Sequence, residues 1–447
     1  MSDVLGSGTP QLDRRRFLRH GSLLSLGAIA GVNPLHAWSV EDGVLRVRGY
    51  ADLKALDPAY MLSGAEGLIG NTIYRNLVRF RPGDNWDWAL DAAEYFEQLD
   101  DTRYAFRLRP GIQHSGGFGE MTAEDVKVSL ERIADPANNS PNRPDLGPLD
   151  RVDVHDRYSG TIVLASPYAA FIPIALCAAS GAILSKQALE SVGGRFAIEP
   201  PSCSGPYRFV SWQAQRRTVL DRNPAWDGEP GPFREIHIHA LPDIKAGELA
   251  YEAGALDFTQ VSVESVDVFR RQPPPNSRLD VIPSLRYYWI GINQEHPKLT
   301  DPRVRRAIQY GIDVEAVIQA AWFGLAEPAT GIIAPGLIGH RSAADTPLAG
   351  DPDQARRLLD EAGVERPFRL RLSTKSDALE ATAGQVIQWS LGKIGIEIDL
   401  DLQDNATLIT MGQESAGDRW KDLQLHLQSF FMLGDPYYAT AWYQAVA

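Results

Sequence analysis

Hydrophobic and polar residues alternate with a period of two in several stretches of the chain. Ile236 and Ile238 alternate with His237 and His239, and Phe368, Leu370 and Leu372 mark a second stretch. Ile396, Ile398, Leu400 and Leu402 alternate with Glu397, Asp399 and Asp401, and Leu423, Leu425 and Leu427 with Gln424, His426 and Gln428. Successive side chains of a strand point to opposite faces, so each stretch predicts a half-buried strand. Helices announce themselves by their ends. Thr122-x-x-Asp125 opens a helix burying Val126, Leu130 and Ile133. Asp301-Pro302 opens one with Val304 and Ile308, and Asp351-Pro352 opens another that buries Ala355, Leu358 and Leu359 and stops at Gly363. Asp before Pro offers an acceptor to the free amides of the first turn, and proline has no amide to leave unpaired. Strands and helices alternate without a simple repeat, so the fold class is mixed α/β. Pro-rich breaks near Pro141–Pro148, Pro200–Pro206 and Pro273–Pro275 mark exposed connections or boundaries.

The 447 residues, 44% hydrophobic and 23% charged, suffice for two or three domains with real cores. Net charge is −13, and it becomes −15 without residues 1–37, which hold four Arg and two Asp. So acidic a body is repelled by nucleic acid and anionic membranes, which argues against polyanion binding. CxxC, HExxH, GxxxxGK[ST] and GxSxG are all absent. No motif therefore calls for a zinc site, a P-loop or a nucleophile elbow, and no cofactor is expected.

Residues Asp13-Arg14-Arg15-Arg16-Phe17-Leu18-Arg19 precede an uncharged stretch, 21–32, that ends near Leu35-His36-Ala37. A charged start, a short apolar run and a small residue at the end form an export signal, and the arginines resemble a twin-arginine motif. The run is too short to span a bilayer. A soluble periplasmic protein is expected, with cleavage near Ala37. In that oxidising compartment Cys177 and Cys203 could be bonded, and two separate buried thiols are the alternative.

Taken in order, a series of blocks resembles the extracytoplasmic solute-binding proteins of the peptide/nickel/opine class, family 5. They are Leu56-Asp57-Pro58, Ile73-Tyr-Arg-Asn-Leu-Val78, Tyr104-Ala-Phe-Arg-Leu-Arg-Pro-Gly111 and Thr122-Ala-Glu-Asp-Val126. Ser204-Gly-Pro-Tyr-Arg-Phe209, Asn223-Pro-Ala-Trp226, Gly254-Ala-Leu-Asp257 and Gly291-Ile-Asn293 follow. The helix openings at Asp301 and Asp351, and Gly434-Asp-Pro436, complete the series. The resemblance implies a two-lobed periplasmic binding-protein fold. Residues 38–68 and 172–280 would build lobe one, 69–171 an inserted domain, and 281–447 lobe two. It implies a ligand receptor, not an enzyme: a monomer that hands a peptide or other small solute to an ABC permease with separate ATPase subunits. Contact with the membrane complex would be peripheral, with no nucleic-acid partner.

On that resemblance the strand after Leu423 informs most about the ligand. With its leucines in the core, His426, Gln428, Phe430 and Met432 fall on the opposite face and could line the cleft. Peptide binders of the family carry a carboxylate three positions before the Asp of the Asp-Pro pair, where this chain has Met432. A thioether cannot neutralise a buried ammonium, so another acid, with Asp435 a candidate, would have to do so. This departure keeps opine, sugar and nickel-chelate ligands open beside peptides. Tyr60, Met61, Tyr288 and Asn293 are the remaining cleft candidates, since aromatic rings offer contact area at little entropic cost. The competing residue-level readings are core packing for the aromatics and a strand-end hydrogen-bonding role for Asn293. His237 and His239 share one strand face but lack a third metal ligand. An exported hydrolase is the rival class. The family also continues several dozen residues beyond the Asp-Pro block, so lobe two is expected to be incomplete.

Overall fold

The computed structural model describes residues 43–81, 86–282, 284–411, 418–431 and 434–440. The proposed signal segment and Met432 lie outside them, as does the side chain of Phe430.

Strand β1 (Val44–Gly49) opens the fold, followed by helix α1 (Gly64–Ile73) and the short strands β2 (Arg75–Asn76), β3 (Val78–Phe80) and β4 (Trp88–Leu90). An antiparallel sheet comes next, built from β5 (Ala93–Asp100), β6 (Arg103–Leu108), β7 (Leu149–Val154) and β8 (Ser159–Leu164), in the order β5-β6-β8-β7. Tyr104, Phe106 and Leu108 point from β6 into its core while Arg103 and Arg107 face water. Helix α2 (Ala123–Ala134) covers that core with Val126, Leu130 and Ile133. The helix opens on the expected capping box: Asp125 accepts from the Thr122 amide at 2.7 Å.

After β9 (Ala182–Ile183) and α3 (Lys186–Ser191), β10 (Tyr207–Gln213), β11 (Arg217–Arg222) and β12 (Glu235–Ala240) return to β1. Their sheet has the order β1-β12-β11-β10, with β1 and β12 parallel. One face carries Ile236, Ile238, Leu220 and Phe209 onto a core shared with α1. Helices α4 (Ile244–Glu252) and α5 (Val263–Arg271) then lead to a third sheet.

That sheet contains β13 (Arg286–Ile292), β14 (Phe368–Lys375), β15 (Ile396–Gln403) and β16 (Leu425–Phe431), in the order β13-β16-β14-β15. Strand β14 runs parallel to β15 and β16, and β13 antiparallel to β16. Helices α6 (Pro302–Gly311), α7 (Val314–Trp322), α8 (Pro352–Glu361) and α9 (Ala378–Gly392) bury its inner face with Ile308, Leu359, Ile387 and Leu391. Asp301 and Asp351 cap α6 and α8 as read from the sequence, accepting from Arg303 and Gln354 amides at 2.8 and 2.9 Å. Gly363, at φ 67°, turns the chain after α8 where a side chain would be strained. Helices α10 (Asn405–Met411) and α11 (Pro436–Thr440) complete the described elements.

The two cysteines correct one expectation. Both thiols are free and buried, Cys177 in the core of the antiparallel sheet and Cys203 in that of the first sheet. They belong to different side-chain clusters, and no disulfide joins them.

Candidate ligand-binding site

In open α/β sheets ligands bind beyond the carboxyl ends of the strands, where loops and helix starts gather. In the third sheet that edge collects the ends of β14 and β16, the start of β13 and the start of α9. Chain direction also turns it toward the rest of the molecule. The segment leading into β13 arrives there from α5, and the segment leaving β16 reaches residues beside the antiparallel sheet. Gly434 lies against the Trp86 ring, and Tyr437 meets Tyr168 edge-on at 5.0 Å between centroids.

Charged and polar groups of both signs converge on this edge. Arg286 donates to the Ser429 hydroxyl at 3.3 Å, and Tyr288 lies opposite Ser429 in the strand register. The Tyr288 ring packs edge-on against Trp322 at 4.7 Å. Burial raises its hydroxyl pKa, with further influence from Glu380 and Asp377 and opposition from Arg286 and Ser429. Asp377 caps α9 by accepting from the Glu380 amide at 3.1 Å. Lys375, at the last position of β14, lies 3.3 Å from the Glu380 carboxyl. Glu380 is only 4% exposed, and burial pushes its pKa up to about 7. A proton shared with Asp377 reinforces that shift, and Lys375 opposes it.

The first sheet presents a comparable edge with different chemistry. Beyond the end of β1, Tyr50, Leu62 and Leu68 are exposed around the start of α1, Leu62 by 73%. Glu66 fixes this turn, accepting from the amides of Lys54, Ala55, Leu62 and Ser63, which holds its carboxyl pKa down despite burial.

The residues selected from sequence divide differently. Tyr288 stands in the polar edge cluster. His426 and Gln428 follow the predicted alternation, but on the sheet face opposite Tyr288, and both are largely buried. His426 Nε2 has no partner, and desolvation pushes the imidazole pKa down to about 4, so it is neutral at ordinary pH. Phe430 pairs with Tyr287 in the ladder. Asn293 donates to the carbonyls of Trp420 and Leu423 and accepts from the Glu295 amide, a strand-end bracket. Met61 is 4% exposed and packs against Gly70 in the core. The Tyr60 hydroxyl donates to the Asn138 carbonyl at 2.8 Å while Arg195 stacks on its ring at 3.8 Å, so it joins two loops. Asp435 accepts from the Tyr437 amide and caps α11. His237 is held by Glu235 at 2.8 Å beside Arg217.

Sequence reading missed Arg286, Lys375, Asp377 and Glu380, as well as the exposed Leu62 and Leu68. Asp377 followed by Glu380 is a capping pattern visible in the sequence, but the sheet order that joins it to Arg286 and Ser429 is not.

Three four-stranded sheets flanked by helices, with a polar cluster at one strand-end edge, are the architecture of a two-lobed solute receptor. The chain belongs to the bacterial extracellular solute-binding proteins, family 5, whose model matches residues 88–445. It is 25% identical over 389 residues to the glutathione-binding protein GsiB of Pectobacterium atrosepticum, covering 86% of this chain and 73% of that protein. Its structure resembles the periplasmic binding protein DppA of Helicobacter pylori in complex with the peptide STSA. There the TM-score is 0.73 and the identity 24%, with 89% and 80% of the two chains covered. NikA of Brucella suis, in complex with Fe(III)-EDTA, matches at TM-score 0.75 and 21% identity, with 89% and 81% covered. The protein is thus a substrate-binding component of an ABC importer, with the two-lobed periplasmic binding-protein fold.

Proposed function

We propose that the protein captures a small peptide-like zwitterion between its lobes and presents it to the membrane permease. The observation that carries this reading is the gathering of the cations Arg286 and Lys375 and the carboxyls Asp377 and Glu380 at one strand-end edge, around the Tyr288 ring that packs on Trp322. A ligand with both an ammonium and a carboxylate finds partners for each there. In a dry cleft that matters, because an unpaired charge costs several kcal/mol. Asp377 and Glu380 would supply the negative charge for which Met432 has no group. The exposed leucines near α1 would receive an apolar portion from the other lobe. The relative that binds glutathione, a peptide-like zwitterion, supports the same class.

On this reading residues 38–68 and 172–280 form lobe one, 69–171 the inserted domain and 281–447 lobe two. The receptor works as a monomer, reaches the periplasm by the twin-arginine route and catalyses no reaction. Substituting Arg14 and Arg15 together by Lys should abolish export, as read by fractionation of a tagged chain; export that instead requires the general secretory route would overturn that part.

Ligand class is tested by thermal shift with glutathione, di- and tetrapeptides, mannopinic acid, an oligosaccharide and a nickel–histidine chelate. A ligand bound only by the folded state raises stability by RT ln(1 + [L]/Kd), about 2.7 kcal/mol at a hundredfold excess over Kd. The expected result is stabilisation by peptide-like zwitterions that is lost in Glu380→Ala and Arg286→Ala. Stabilisation by the sugar or the chelate alone would contradict it.

A further inference from the structure

A cavity lies where β2 to β5 meet the loop after β11. Its volume is ≈ 390 Å³, and Arg75, Arg79, Arg109, Leu90, Glu94 and Trp226 line most of it. Three guanidinium groups around one hollow is an unusual concentration in a chain of net charge −13. Two of them are partly neutralised. Arg75 pairs with Asp91 at 2.9 Å and with Asp227, and lies 3.9 Å from the centre of the Trp226 ring. Arg109 reaches the Asp91 carbonyl at 2.8 Å and Asp227 at 3.5 Å. Asp91 also accepts from the Asn76 amide at 3.0 Å, so each of its carboxylate oxygens has a partner.

Two features remain unexplained by the fold. Arg75 is 3% exposed, yet its Nε is buried without a hydrogen-bond partner. A buried donor in that state is destabilising, so the fold leaves the arginine cluster incompletely compensated. The Arg79 side chain, exposed on β3, forms neither a hydrogen bond nor an ion pair among the described residues, though it lines the same cavity. We propose that this cavity binds a small oxyanion, a carboxylate or a phosphate, with Arg79 and Arg109 as donors and the Trp226 ring as an apolar wall. Guanidinium groups match the geometry of both anions, and partial enclosure strengthens the attraction over that at an open surface. None of the lining residues belongs to the third sheet, so the site would hold an accessory ligand rather than the transported one.

Isothermal titration of the full chain with sodium phosphate and with sodium acetate, each against chloride at matched ionic strength, tests this. Saturable binding of one of them is expected, and which one binds identifies the anion. Arg79→Gln should weaken binding about tenfold, the loss of one charge-assisted hydrogen bond. Glu94→Gln, which removes an acid from the cavity wall, should tighten it. Both positions are exposed, so both variants should fold, which circular dichroism would verify. Absence of saturable binding, or equal affinity in the parent and Arg79→Gln, would overturn the proposal.

Discussion

Burial acts on Glu380 and His426 in opposite senses, so their contributions to stability oppose each other as pH changes. Glu380 titrates near about 7 instead of 4.5, so folding favours its protonated form. The stabilisation it gives is complete below about 4.5 and is lost as pH rises through about 7. His426 titrates near about 4 instead of 6.5; its contribution is present above 6.5 and is lost as pH falls through about 4. Each shift amounts to at most roughly 3–4 kcal/mol, at about 1.36 kcal/mol per unit. In the parent the two slopes largely cancel between pH 4.5 and 6.5. Urea titrations should therefore show Glu380→Gln gaining stability relative to the parent as pH is raised from 5 to 8. His426→Leu should gain as pH is lowered from 6.5 to 4.5. Parallel stability profiles for parent and variants would show that neither group titrates as described. The thiols permit a simpler check. Burial pushes Cys177 up to about 12 and Cys203 up to about 11, so both should resist alkylation in the native state. Without reductant, the denatured chain should react at both positions, whereas a disulfide would leave none. At this scale the alternation of β16 is legible in the sequence. The burial of His426 is not, because it depends on neighbours in β13 and β14 that lie far away along the chain.

Caps and strand periods carry most of what the sequence reveals about elements. Asp301, Asp351 and the Thr122–Asp125 box act on amides within their own first turns, so a local pattern is sufficient to find them. Tertiary neighbours decide the rest. Leu423 continues the period of β16 but lies before the strand, where its amide bonds the Trp420 carbonyl. The Leu-Asp-Pro block owes its importance to a partner 75 positions away: Asp57, fully buried, receives two bonds from Arg132 on α2, at 2.7 and 2.8 Å. Removing one partner of such a pair leaves a buried charge uncompensated. Asp57→Ala should therefore cost about 3–5 kcal/mol in chemical denaturation, and Asp351→Ala, at a cap, about 1 kcal/mol. Similar small losses in both would mean that the Asp57–Arg132 pair does not clamp α2 in solution.

For the whole molecule, the class of fold is legible from blocks spread along the chain, whereas the proposed ligand edge is not. Sheet order β13-β16-β14-β15 brings together residues near 286, 375–380 and 429, a juxtaposition that no local period encodes. The same order places Tyr288 and His426 on opposite faces, although both were candidates for a single cleft. A receptor of two lobes closes on its ligand by hinge motion, and the closed state is favoured only by as much as the ligand prefers it. Small-angle scattering should show a smaller radius of gyration with the cognate ligand and no change with a non-binding solute. The most direct test of the central claim is native mass spectrometry of the protein isolated from its own periplasm. A retained small molecule bearing both an amine and a carboxylate, released by Glu380→Ala, is the predicted result. A retained sugar or metal chelate, or a zwitterion held equally well by that variant, would contradict the account.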